Sequence, residues 1–158
     1  MQKIPIFNRQ LIRNRRVCNF HKCKTITITG ANMISEENKL LQGIDTVIVR
    51  VCNIDVSKAW YQGKLGLTPI WEDPKMNLVV LDTSSPTSLT LWQTDQKMTI
   101  NRRTASYPIF KTRDAVLLRE VLTDLNVQVG DVIQDDHLRY FSFYDPDGNL
   151  LEACEVDG

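Results

Sequence analysis

A chain of 158 residues with 42% hydrophobic content is long enough to bury one core and cramped for two full domains. Its 19 basic and 19 acidic side chains cancel, which leaves no net field to draw it to nucleic acid or a membrane surface. Cys18, Cys23, Cys52 and Cys154 are too few and too irregular for a disulfide scaffold, and no apolar run approaches the ~20 residues of a membrane span; the reading is a soluble, cytoplasmic protein.

Residues 1–42 read as a basic extension, mobile or partly helical. Lys3, Arg9, Arg13, Arg15, Arg16, Lys22 and Lys24 precede the first acid, Glu36. Such a start also suits a transit peptide, but this one is nearly without serine and weakly periodic. Cys18, His21 and Cys23 resemble a metal cluster, yet no second Cys/His pair follows at zinc-site spacing. Met33 is an alternative start of the natural protein, since the domain-like pattern follows it. Ser35 to Asn38 would cap a short helix ended by Gly43.

Residues 43–158 are expected to form one domain. Ile44 to Val51 alternates as a strand, with Thr46, Ile48 and Arg50 on one face. Asp55 or Ser57 would cap a helix stopped near Gly66. Three strands follow, Leu67 to Trp71, Asn77 to Leu81 and Thr87 to Gln93, parted by Asp73-Pro74 and Ser84-Ser85-Pro86. After a polar link, Gln96 to Arg103, the order restarts: strand Ser106 to Lys111, an amphipathic helix Asp114 to Leu125, and strands Val127 to Ile133, His137 to Tyr144 and Asn149 to Glu155. The last two flank Asp145-Pro146-Asp147-Gly148-Asn149, a hairpin turn. The fold class is therefore α+β: two βαβββ modules, 44–93 and 104–156, neither able to bury both sheet faces alone.

This organisation resembles the vicinal oxygen chelate superfamily of glyoxalases, bleomycin-resistance proteins and extradiol dioxygenases. The likeness is carried by Val51 to Asp55, Trp60-Tyr61 and Leu65-Gly66-Leu67 at the first strand and helix, and by Phe143 to Glu152 at the closing hairpin. It implies a curved mixed sheet around a cleft, helices on the convex side, and a homodimer. In the family's metalloenzymes the ligands, usually His, Gln or Glu, stand on the first and last strands of each module. Carried over, those places fall on Thr46, Thr90, Tyr107 and Glu152, and only Glu152 matches. The expectation is no metal and no cofactor, a divalent ion entering only if the ligands lie elsewhere.

Alternation from these anchors puts Ser88, Thr90 and Trp92, then Tyr107, Ile109 and Lys111, then Tyr140, Ser142 and Tyr144, then Leu150, Glu152 and Cys154 beside Thr46, Ile48 and Arg50 on the concave face. Ligand contacts are assigned to Thr46, Arg50, Thr90, Trp92, Tyr107, Lys111 and Glu152: Trp92 and Tyr107 to stack, Arg50 and Lys111 to hold an anion. Glu152 is read either as pairing with Arg50 or Lys111 or as a general base. His137 is read as a solvated loop residue, and Cys52 and Cys154 as unreactive. The resulting expectation is a metal-independent small-molecule-binding protein; the alternative is a lyase, isomerase, dioxygenase or transferase using Glu152. Neither reading involves nucleic acid or membrane as a partner.

Overall fold

The computed structural model of the chain describes residues 43–99, 101–135 and 137–156. The basic segment, the Cys18/His21/Cys23 group and the helix expected after Ser35 lie outside them. The described residues form one compact unit.

The first module runs β1 (Thr46–Val51), α1 (Ile54–Leu65), β2 (Thr68–Asp73), β3 (Leu78–Asp82) and β4 (Ser88–Gln93). The second runs β5 (Ile109–Lys111), α2 (Ala115–Asp124), β6 (Gln128–Val129), β7 (Ile133–Gln134), β8 (Leu138–Tyr144) and β9 (Leu150–Val156). Each module builds its own mixed sheet, ordered β1-β4-β3-β2 and β5-β9-β8-β6, with β7 also on β8. In both, the first strand lies parallel to the last. The fold is α+β with two βαβββ modules.

Local chemistry sets the boundaries. Asn53, rather than Asp55 or Ser57, caps α1: its side chain accepts from the Asp55 and Val56 amides. Ser57 lies one turn in, buried, with its hydroxyl committed elsewhere. Gly66, at φ 67°, closes the helix in the left-handed conformation that glycine tolerates best. Asp114 caps α2 through the Leu117 amide. The strand expected over Ser106 to Lys111 shrinks to three residues because Pro108 has no amide hydrogen for the ladder. The strand expected over Val127 to Ile133 divides into β6 and β7. Gly130 donates to the Ser142 carbonyl at 2.7 Å while its own carbonyl accepts from Arg119 Nε, and a Cβ there would meet Ser142 Oγ at 2.9 Å.

One hydrophobic cluster serves both modules. Val51, Leu81, Leu89 and Leu91 join Phe141, Phe143, Leu151 and Ala153 on the helix-facing side, packed with Tyr61 of α1 and Leu122 of α2. Because paired residues in a register share a face, the opposite surface carries Thr46, Ile48 and Arg50 beside Ser88, Thr90 and Trp92. In the second module it carries Ile109 and Lys111 beside Glu152 and Cys154, and these beside Ser142 and Tyr140.

Candidate functional site

The concave surface is built twice. In the first module Thr46 Oγ1 and Thr90 Oγ1 lie 2.7 Å apart in a hydrogen bond, and the Thr46 hydroxyl also donates to the Ser88 carbonyl at 3.2 Å. Thr90 is fully buried, as are its neighbours Val80 and Leu78 to within a few per cent. Two hydroxyls that serve one another in a closed place have little left to offer a ligand.

In the second module the equivalent diagonal joins Tyr107 to Glu152. The Tyr107 hydroxyl donates to Glu152 Oε2 at 3.5 Å, a long bond. Tyr107 precedes β5 rather than lying in it. Residues before proline are held extended, so the ring still reaches across to β9, where the Glu152 amide donates to the Pro108 carbonyl. Tyr107 is exposed and Glu152 half-buried. Removal from water raises the Glu152 carboxyl above its ordinary range, the Tyr107 hydrogen bond pulling the other way. The charge of Glu152 in turn raises the Tyr107 phenol.

The ion pair expected for Glu152 does not form. Among the described residues no basic side chain lies within 4.0 Å of its carboxylate; the pairs are Lys58–Glu72, Arg119–Asp131 and Arg139–Glu155. Arg50 instead lays its guanidinium over the Trp92 ring at 4.4 Å and donates Nη2 to the Gln93 carbonyl at 3.2 Å. Lys111 stands exposed on β5, opposite Cys154. The structure thus gathers Thr46 with Thr90, Arg50 with Trp92, and Tyr107 with Glu152, and leaves Lys111 outside these pairs. His137 lies exposed in a surface turn, its amide on Asp135 Oδ1.

The hairpin turn between β8 and β9 also joins the modules. Asp145 is buried and accepts from the Tyr61 hydroxyl at 3.0 Å, the Asn149 side-chain amide and the backbone amides of Asp147 and Asn149. Burial raises its carboxyl, these hydrogen bonds opposing the shift. The Tyr61 phenol is raised too, chiefly by burial. Asp147 accepts from the Cys52 amide and the Ser57 hydroxyl, and Asn149 Nδ2 donates to the Arg50 carbonyl. A hydrogen bond to Asp147 also raises the exposed Cys52 thiol, which disfavours its thiolate. A tyrosine among apolar helix positions, needing a buried partner for its hydroxyl, was the available signal.

A family model described as the Glyoxalase/Bleomycin resistance protein/Dioxygenase superfamily matches residues 43–153. The chain belongs to this superfamily. No curated protein matches it. Among solved structures, the glyoxalase family protein from Enterococcus faecalis is 23% identical with a TM-score of 0.61, covering 74% of this chain and 100% of its own. The lactoylglutathione lyase from Agrobacterium tumefaciens is 18% identical with a TM-score of 0.60, covering 74% and 96%. TnmS3, an antibiotic binding protein from Streptomyces sp. CB03234, is 18% identical with a TM-score of 0.61, covering 75% and 99%. At these identities the likeness is one of fold.

Within the superfamily, the metal-ligand places carried over to this chain hold two threonines, one tyrosine and one glutamate. A catalytic zinc or iron needs three or more imidazole, thiolate or carboxylate donors. The residues present do not fit such an ion, and among the described residues no three His, Cys, Asp or Glu side chains gather.

Proposed function

We propose that this superfamily member is a metal-independent small-molecule-binding protein of the bleomycin-resistance type. The observation that carries the reading is the Thr46–Thr90 bond: at two of the four ligand places, weak metal donors are turned toward each other. Trp92, Arg50, Tyr107, Lys111 and Glu152 supply aromatic, cationic and acceptor groups to the same surface, the mixture a small-molecule site needs. An antibiotic-binding protein with this fold, TnmS3, is consistent with it. The protein is proposed to work in the cytoplasm, in keeping with its few, irregularly spaced cysteines, and as a homodimer, as the family resemblance implies. Among the described residues no helix is long and apolar enough to cross a membrane.

One observation favours an enzyme as the second reading. Glu152 lacks a cationic partner among the described residues, is shifted toward the protonated form and touches a phenol, an arrangement suited to a general base with a neighbouring donor in a lyase, isomerase, dioxygenase or transferase. Elemental analysis of untagged protein purified without chelator separates the readings first. The binding reading expects no stoichiometric metal, before or after incubation with zinc, nickel, manganese or anaerobic iron. Stoichiometric metal would overturn it. Glu152→Gln then expects retained binding of neutral compounds, whereas an enzyme using Glu152 as base loses turnover.

A further inference from the structure

We propose that a cavity along the edge of β1 binds a small organic acid, with the carboxylate on Arg50 and the apolar body against Ile48, Met98 and Leu150. The inference rests on the small-molecule reading and names its ligand class and seat. Among the described residues β1 is an edge strand, paired only with β4. Between it and the segment linking the modules lies an open space of about 490 Å³, lined also by Asn149 and Leu150 at the start of β9. That volume suits a compact ligand.

The charge of the lining chooses the ligand. Arg50 is the only ionisable side chain among the described residues around the cavity; the remaining polar groups are hydroxyls and amides such as Thr104 and Asn101. A cation would meet no acid there, whereas an anion meets the one basic residue of the lining. Trp92 holds one face of the Arg50 guanidinium and the Gln93 carbonyl takes Nη2. Among the described residues no other hydrogen bond and no ion pair engages it, so the rest of its donor fork is available. A planar fork held by a ring matches a carboxylate in two-point contact and loses little freedom on binding.

The walls are built to stay in place. Asn149 ties β9 to β1 by donating Nδ2 to the Arg50 carbonyl at 2.9 Å. The linking segment is turned by Asn101, whose carbonyl accepts from the Thr104 and Ala105 amides and whose side chain accepts from the Arg103 amide. Arg102 anchors the same segment to β8 by stacking over the Tyr144 ring at 3.9 Å. The length read as a polar link thus walls this space, Met98 included.

The test uses the full chain and two matched pairs, naphthoate with naphthamide and octanoate with octanamide, each acid having the shape of its neutral partner. By calorimetry at least one acid is expected to bind roughly ten- to hundredfold tighter than its amide, the worth of a charge-assisted hydrogen bond. Amide-proton shifts on titration are expected at Ile48 to Arg50 and Thr99 to Ala105. Arg50→Met should cancel the preference for the acid while leaving amide binding within about twofold, which also shows that the variant is folded. Ala105→Trp, on the linking segment rather than in the core, should block both. Equal affinity of acid and amide, or shifts centred on Lys111 and Tyr140 with β1 silent, would overturn the inference and leave the small-molecule reading standing. Failure of every probe to bind would count against both.

Discussion

The first module closes its Thr46–Thr90 diagonal, and the second leaves Tyr107 and Glu152 open. Thr46 and Thr90 occupy the same diagonal between first and last strand as Tyr107 and Glu152, yet Thr90 is fully buried while Tyr107 is 37% exposed. On the strand beyond, Val80 beside Thr90 is buried, whereas its counterpart Ser142 beside Glu152 is half-buried. A duplicated backbone has carried two different chemistries: one diagonal holds strands together, and the other keeps a titratable group beside solvent. The difference follows from side-chain reach. Two threonines meet across adjacent parallel strands with nothing left over, whereas tyrosine and glutamate extend beyond the sheet and meet at their tips.

The largest effect should come from breaking the joint on which the comparison depends. Asp145→Ala leaves the Tyr61 hydroxyl and the Asn149 amide without their buried acceptor, and should cost about 3 kcal/mol or more in a urea melt. A loss below about 1 kcal/mol would mean that solvent already reaches this turn.

Next comes the closed diagonal. Thr90→Val removes one hydroxyl from a partly buried pair and should cost about 1 kcal/mol, while Thr46→Val with Thr90→Val should cost less than the sum of the singles because the two share one bond. Strict additivity in that cycle would deny the coupling.

The smallest effect belongs to the open diagonal and is read in pH. The folded-state carboxyl of Glu152 is raised, so just above its ordinary value of 4.5 the folded protein binds more protons than the unfolded chain, and stability falls as pH rises through that interval. Asp145, raised by burial, acts in the same direction. Glu152→Gln should flatten the part of the slope due to Glu152. Tyr107→Phe should raise the Glu152 carboxyl further, since the lost hydrogen bond favoured the charged form; carboxyl-carbon NMR titration reads this directly, and a downward move would contradict the geometry.

By itself the sequence determined the βαβββ duplication, the faces of β1, β4, β8 and β9, and the superfamily, because strand alternation and turn chemistry are local and the closing hairpin is distinctive. Only tertiary structure decided that Arg50 turns to Trp92 rather than Glu152, and that Tyr107 reaches Glu152 from outside its strand. The folded chain also decided that Asp145 joins the modules through Tyr61 and that the linking segment walls a cavity. Each of these depends on which side chains meet across many intervening residues, where the competing partners are chemically alike and only their positions in space choose between them.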